Sequence, residues 1–241
     1  MTAKACWIMV AIAALAGCSS ILGFKEPRLQ DDGPDIDAAI DMPIDMAVCV
    51  PSACQFGCDT GTNMCKTGKL WIFKTTGSTV GNGFGGTDVP PNPRGGADGR
   101  CLATYNSRFA TTRDCKTANV HAVLFVSATD SISLMASKYG IPTSVEVHRA
   151  DDDVLVANNW NDLTDPTKTL RNPATTAATQ AAGTVWTGTT SSATCRNWTS
   201  ADTADTGTFG FTNRTEVTWL SEGVNACDSL FGLLCICWPG P

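Results

Sequence analysis

Twelve cysteines in a chain of 241 residues are the feature that most constrains its fold. Cytosolic proteins rarely carry so many cysteines unless they bind metal, whereas exported proteins use them as crosslinks. Cys6 and Cys18 lie near the N-terminus, and ten cysteines follow from Cys49 onward. Ten is an even number that fits five disulfides if the first two cysteines serve another purpose. The cysteines therefore predict a disulfide-bonded domain, provided that the chain is exported.

The first eighteen residues have the pattern of an export signal. Lys4 supplies a positive charge, and the apolar run from Cys6 to Ala14 has the length of a signal peptide but is too short to cross a bilayer. Leu15 to Cys18 (LAGC) then resembles the lipobox of bacterial lipoproteins, whose cysteine receives the lipid. We predict that residues 1–17 are a signal peptide and that Cys18 is a lipid anchor, since several acyl chains anchor a protein stably. A secretory signal with an incidental cysteine is the alternative.

Charge and composition limit the partners and the location. The net charge of −6 argues against nucleic acid, whose phosphates require clustered lysine and arginine. A hydrophobic content of 43% is ordinary for a protein with a real core. Ser19 follows the anchor cysteine, where an aspartate would retain a lipoprotein of enteric bacteria in the inner membrane. We therefore expect a lipid-anchored protein of the cell envelope, in the outer membrane.

An acidic segment separates the anchor from the later cysteines. Residues 31–47 read DDGPDIDAAIDMPIDMA, and Asp37, Asp41 and Asp45 are spaced so that they would repel one another on a helix. Pro34 and Pro43 oppose a helix as well. Residues 18–48 are therefore predicted to be a flexible tether, with weak calcium binding by the aspartates as the alternative function.

Four cysteines crowd into residues 49–68. They are Cys49, Cys54, Cys58 and Cys65. Their spacing departs from the paired C-x2-C pattern of zinc ribbons, so two disulfides are favoured over a zinc site in an exported chain. Because so short a segment cannot build a core, we predict a small disulfide-stapled module.

Residues 69–241 combine early helices with late strands. Apolar runs predict strands at Leu70–Phe73 and Val120–Val126, and a helix over Ala97–Arg108 lies between them. The later elements predicted are a short helix at Ser131–Lys138, a hairpin of Val145–His148 with Val154–Val156, a long ordered loop over 158–182, and strands at Val185–Thr187, Thr194–Trp198, Val217–Leu220 and Leu233–Trp238. This order indicates the α+β class with a mainly antiparallel sheet.

A series of short motifs in residues 69–241 resembles the endostatin-like, C-type-lectin-like domains of bacterial lipoproteins, a family of unknown function. The motifs are Gly95-Gly96-Ala97-Asp98 before Cys101, Ala157–Trp160 with Leu163-Thr164-Asp165, Val185–Gly188, Cys195–Ser200, Thr206-Gly207, Trp219, and the pair Cys227 and Cys235. The resemblance implies one C-type-lectin-like domain with one or two helices and long loops. It also implies disulfides joining Cys195 to Cys227 and Cys101 to Cys235 or Cys237, with Cys115 taking the one left over.

Candidate ligand-binding residues concentrate between positions 151 and 165. Carboxylate and amide oxygens are the ligands that calcium prefers, and an aromatic ring can stack on a sugar. The ligand-binding candidates are Asn158, Trp160, Asp162 and Asp165, and the weaker calcium candidates are Asp151, Asp153 and Asp162. A solvated hairpin and loop, with the tryptophan in the core, is the alternative interpretation. Trp219-Leu220-Ser221 stands where sugar-binding C-type lectins carry the calcium-binding Trp-Asn-Asp, so their usual sugar site is not expected.

The pattern does not indicate an enzyme. His121 and His148 lie in predicted strands, every late cysteine has a predicted disulfide partner, and no Gly-x-Ser-x-Gly motif occurs. The expected function is non-enzymatic binding of an extracellular protein or glycan, of the adhesion type, with calcium as the one cofactor considered. A structural envelope lipoprotein without a soluble ligand is the alternative, and an exported hydrolase is a third hypothesis.

Overall fold

The computed structural model describes residues 49–50, 53–59, 61–84, 92–189 and 191–240. The predicted signal peptide, the anchor Cys18 and the tether over 18–48 lie outside these residues. The strands are β1 (Cys58–Asp59), β2 (Met64–Cys65), β3 (Leu70–Lys74), β4 (Val120–Ala122), β5 (Val147–Arg149), β6 (Leu155–Ala157), β7 (Thr184–Trp186), β8 (Thr206–Phe211), β9 (Gly223–Ala226) and β10 (Gly232–Cys237). The helices are α1 (Pro93–Arg108), α2 (Met135–Tyr139), α3 (Trp160–Thr164), α4 (Gln180–Gly183) and α5 (Cys195–Trp198). None of these helices is long and apolar enough to cross a membrane.

The last strand, β10, lies in the middle of an eight-stranded sheet. The strand order is β6-β5-β3-β10-β7-β8-β9, and β4 also pairs with β10. The β10–β7 and β3–β5 pairs are parallel, whereas the other pairs of this sheet are antiparallel. Strands β1 and β2 form a separate two-stranded antiparallel sheet. The predicted α+β class with a mainly antiparallel sheet is therefore confirmed.

The central strands are apolar throughout because both faces of the sheet are covered. Successive side chains of a strand point to opposite faces, so alternate residues of β3 and β10 enter different cores. The first core contains Leu70, Ile72, Leu234 and Ile236, together with Met135 of α2 and Leu163 of α3. The second core contains Trp71, Phe73, Cys235 and Cys237, together with Ala97, Cys101 and Tyr105 of α1. The sheet is thus sandwiched between α1 and α5 on one face and α2 and α3 on the other.

All ten cysteines of the described residues form disulfides. The pairs are Cys49–Cys58, Cys54–Cys65, Cys101–Cys235, Cys115–Cys237 and Cys195–Cys227. The last three agree with the pairs that the resemblance implied, and Cys101 takes Cys235 rather than Cys237. Cys235 and Cys237 reach the same side of the sheet because they are two residues apart on one strand.

The cysteine-rich segment over residues 49–68 packs on the larger sheet. The side chain of Phe56 is only 3% exposed and belongs to the same core as Leu70 and Ile72. The hydroxyl of Ser144 donates a hydrogen bond of 3.2 Å to the side chain of Gln55. The segment is therefore supported by its two disulfides and by one buried aromatic ring that it shares with the main core.

Several predicted elements differ from those observed, each for a local reason. Helix α1 begins at Pro93 rather than at Ala97, because Asn92 caps it by accepting from the amide of Gly95 and proline fits the first helical position. Strand β4 stops at Ala122, well before the predicted end at Val126. The strand predicted at Val217–Leu220 is a turn, the loop over 158–182 contains α3 and the start of α4, and β8 and β9 were not predicted.

The strand predicted at Thr194–Trp198 is instead a left-handed turn. Cys195, Arg196, Asn197 and Trp198 have φ values of 48°, 54°, 57° and 62°. A residue other than glycine in this conformation costs about 1–2 kcal/mol. Two contacts hold the turn in place: the disulfide from Cys195 to Cys227, and a hydrogen bond of 2.7 Å from the indole of Trp198 to the carbonyl of Phe125. The turn thereby fixes the position of Phe125.

Candidate functional site

Two clefts of similar size lie beside helix α3. The first, here called the apolar cleft, has a volume of 470 Å³, and the second, the polar cleft, has a volume of 460 Å³. The apolar cleft is lined by Phe125, Ala128, Ser131, Ile132, Ser133, Leu163, Thr164, Asp165, Pro166, Thr189, Val217, Trp219, Leu220 and Ser221. The polar cleft is lined by Ala157, Asn158, Asp162, Thr167, Lys168, Thr169 and Arg171.

The apolar cleft is built on side chains that also belong to the first core. Ile132, Leu163, Trp219 and Leu220 are all less than 9% exposed, so the protein holds them rigidly from behind. Val217 is 39% exposed and extends this apolar surface to solvent. The cleft therefore offers a preformed apolar surface that is open to a ligand.

A buried ion cluster positions the wall of the apolar cleft that runs from Ala128 to Ser133. Within this wall, the carboxylate of Asp130 accepts two hydrogen bonds from the guanidinium of Arg94, at 3.1 and 2.8 Å. The hydroxyl of Tyr139 donates to the same carboxylate at 2.9 Å, and Lys138 lies 3.1 Å away. Burial raises the pKa of Asp130, but the hydrogen bonds and charge of Arg94 outweigh it and hold that pKa below its usual value. The carboxylate is thus charged at neutral pH and clamps the wall.

Arg94 also joins this wall to strand β4 and helix α1. Its guanidinium donates to the carbonyls of Ala122 and Leu124, each at 2.6 Å. Asp98, one turn later on α1, accepts from the amide of Ala122 at 2.8 Å. The strand end therefore has its backbone groups satisfied by side chains of α1, which explains why β4 is short.

Six lining residues of the apolar cleft are polar, and two of them, Thr189 and Asp165, differ in how their side chains are satisfied. The hydroxyl of Thr189 is buried and has no hydrogen-bond partner within the described residues. Asp165 is the only ionisable residue in the lining, and no described residue forms an ion pair with it. One oxygen of Asp165 accepts from the amide and the hydroxyl of Thr167, at 2.8 and 2.7 Å, which lowers the pKa of this carboxyl. The cleft thus carries one fixed negative charge.

The polar cleft, in contrast, is saturated by its own side chains. The amide of Asn158 donates to Asp162 at 2.9 Å, and Arg171 donates to the amide oxygen of Asn158 at 2.7 Å. Lys168 forms an ion pair with the other oxygen of Asp162. The hydrogen bonds from Lys168 and Asn158 lower the pKa of Asp162. Its charge is therefore already neutralised within the cleft.

The structure separates the ligand-binding residues that the sequence suggested. Asn158 and Asp162 line the polar cleft, whereas Asp165 lines the apolar cleft. Trp160 is 1% exposed and packs in the first core, so its ring offers no face to a ligand from solvent. Residues within the eight positions 158–165 thus serve the core and two different clefts.

The aspartates considered for calcium each contact a basic side chain. Asp151 pairs with Arg108 at 2.5 Å, and Asp153 pairs with Lys69 at 2.7 Å. Asp162 pairs with Lys168. Within the described residues, the one cluster of metal-type side chains is Cys49, Cys54 and Cys58, and these cysteines are engaged in disulfides.

Both histidines have carboxylate partners outside the two clefts. The Nδ1 atom of His121 lies 2.9 Å from Asp98, and its ring packs against Tyr139 and Trp238. The Nε2 atom of His148 lies 2.9 Å from Glu146. Neither histidine lines the apolar or the polar cleft. The geometry does not bring either imidazole to a surface where the candidate ligand would lie.

Sequence reasoning missed most of the apolar cleft. Phe125, Ser131, Thr189 and Val217 come from separate parts of the chain, and no periodic pattern links them. Among the ligand-binding residues that the sequence suggested, Asp165 alone lines this cleft. Neither a model of a known protein family nor any curated protein matches this sequence. The site is therefore defined by its geometry.

Proposed function

We propose that this protein is a cell-envelope lipoprotein, anchored by Cys18 in the outer membrane, whose C-type-lectin-like domain binds an extracellular protein or glycan without catalysis. The motif series in residues 69–241 and the export pattern of the first eighteen residues support this proposal. The disulfides from α1 to the last strand and from Cys195 to Cys227 agree with the arrangement of that fold family.

The main support for the proposal is the apolar cleft. Ligand sites in proteins are typically concave and largely apolar, with a few placed polar groups, and this cleft has that composition. Its lining contains no histidine, cysteine or lysine, and the one carboxylate has no neighbouring base or nucleophile in the lining. The cleft is equipped to hold a ligand rather than to transform one.

An array of glycans and extracellular matrix proteins tests the proposal. The detergent-solubilised full chain is applied with calcium and with chelator, beside the variants Ala128→Trp and Thr169→Trp. Both positions are exposed, and the first variant fills the apolar cleft while the second fills the polar cleft. We expect binding that survives chelator, is lost in Ala128→Trp and persists in Thr169→Trp.

The other outcomes of the array are equally informative. Binding that chelator abolishes would contradict the apolar cleft as the site and would indicate calcium near Asp151 to Asp165. An absence of binding under both conditions would overturn the proposal in favour of a structural role in the envelope.

A further inference from the structure

The apolar cleft has a property that its apolar surface alone does not explain: its lining carries one carboxylate, Asp165, that forms no ion pair with a described residue, although the positive charge of Lys168 is close enough to act on it. Asp165 is the only ionisable residue among its lining side chains, and no described residue forms an ion pair with it. Asp130, in the wall from Ala128 to Ser133, is neutralised by Arg94 and Lys138. A cationic ligand is therefore complementary to the cleft, and an anionic ligand is not.

The apolar surface sets the second requirement on the ligand. Val217 and the half-buried Phe125 present apolar surface in the same cleft as the carboxylate. Lysine and arginine side chains combine these two properties, because a long aliphatic stem carries the charged group. A bare metal ion or a small hydrophilic cation would leave the apolar surface in contact with water.

Two further features favour a protein segment over a free small amine. Val217 lines the cleft and is 39% exposed, and Leu134, directly after the lining residue Ser133, is 41% exposed. These side chains extend the apolar surface beyond the cleft itself.

We infer that the apolar cleft receives a lysine or arginine side chain of a partner protein, with Asp165 binding its charged group and neighbouring aliphatic side chains of the partner covering Val217 and Leu134. This inference rests on the proposed binding function and specifies the chemistry of its ligand. It makes the partner a basic protein surface with adjacent apolar residues.

Three capped tripeptides that differ in one side chain test the inference. Their sequences are leucine–lysine–leucine, leucine–norleucine–leucine and leucine–glutamate–leucine, and their affinities for the detergent-solubilised full chain are measured by ligand-observed nuclear magnetic resonance. We expect the lysine peptide to bind about twofold to fivefold more tightly than the norleucine peptide, as is typical of an exposed ion pair. The glutamate peptide should bind most weakly, and 1 M salt should reduce the differences.

The variant Asp165→Asn removes the charge and retains an oxygen that can accept from Thr167. It should erase the preference for lysine, whereas Asp151→Asn, at a carboxylate that lines neither cleft, should leave that preference unchanged. A lysine preference that is absent from the wild type, or that survives Asp165→Asn, would overturn the inference. Equal binding of all three peptides that Ala128→Trp abolishes would refute the charge requirement and leave the proposed binding function standing.

The compound 4-phenylbutylamine distinguishes the two sources of a cationic ligand. It has the charge and an apolar body but no peptide flanks. The double variant Leu134→Ser and Val217→Ser should weaken the lysine peptide and leave 4-phenylbutylamine unaffected. An equal loss of affinity for both probes, or no loss for either, would contradict a protein segment as the occupant.

Discussion

The apolar and polar clefts share helix α3 and have nearly the same volume, but they differ in what their residues leave unsatisfied. In the polar cleft, Asn158, Asp162, Lys168 and Arg171 satisfy one another's charges and hydrogen bonds. In the apolar cleft, the exposed side chain of Val217 has no such means of satisfying itself, because apolar surface is removed from water only by covering it. A cluster of polar residues is therefore a weaker indication of a binding site than an open apolar surface with one unpaired charge.

The largest expected difference between the clefts concerns stability. Trp219 is 2% exposed and serves the core as well as the apolar cleft. Trp219→Ala should lower the free energy of unfolding by about 3–5 kcal/mol, because it leaves a cavity behind the cleft. The exposed Asn158→Ala in the polar cleft should change it by less than about 1 kcal/mol. Chemical denaturation followed by circular dichroism measures both values, and similar losses would show that the clefts are supported alike.

A second difference concerns the ion cluster that holds the wall of the apolar cleft. The side chains of Arg94 and Asp130 are 11% and 8% exposed, so Asp130→Asn removes the nearer counter-charge of a buried guanidinium and leaves only Asp98, at 3.6 Å. This variant should lose about 3 kcal/mol of stability. It should also weaken array binding, since the wall from Ala128 to Ser133 is anchored there, and binding at wild-type strength would contradict the anchoring role.

The same ion cluster predicts that the stability of the fold depends on pH. The pKa of Asp130 is lower in the folded chain than the usual value of about 4, so its contribution to stability is present above that value and is lost as the pH falls through the folded pKa. The melting temperature of the wild type should therefore fall steeply below about pH 4. In Asp130→Asn this acid-dependent loss should be smaller, and an unchanged profile would assign the acid sensitivity to other carboxylates.

The left-handed turn of α5 supports only the apolar cleft, through the hydrogen bond from Trp198 to Phe125. Arg196 has a φ of 54° in this turn, which glycine tolerates better than alanine. Arg196→Gly should therefore be more stable than Arg196→Ala by about 1 kcal/mol, as measured by thermal denaturation. Equal stabilities would show that the turn relaxes without cost.

The smallest effect on stability and binding is expected from a substitution in the polar cleft. Asp162→Asn removes one partner of an ion pair whose lysine is 52% exposed. Such pairs contribute little, so the midpoint of denaturation and the binding to the array should both remain within error of the wild type. A clear loss of binding would move the site from the apolar to the polar cleft.

Much of the scaffold was predictable from local patterns. The apolar runs of β3 and β10 indicated buried strands, and the even cysteine count indicated five disulfides. The turn at Thr194–Trp198 was predicted wrongly because its left-handed backbone is held by tertiary contacts, among them the disulfide and the buried indole, that the local sequence does not reveal. The spread of Asp162, Leu163 and Asp165 over two clefts was equally invisible, because neighbouring residues of a short helix face different directions.

The sequence by itself determined the α+β class, the strands at the centre of the sheet and the presence of disulfides. Apolar periodicity reflects local structure, and the number of cysteines can be counted directly. Tertiary structure alone decided which polar residues neutralise one another and which surface stays open. Lys168 reaches Asp162 and Arg94 reaches Asp130 across the fold, so the charge left at Asp165 is a result of which side chains meet. A binding site of this kind is defined by what remains unpaired after folding, and pairing depends on distances that only the folded chain sets.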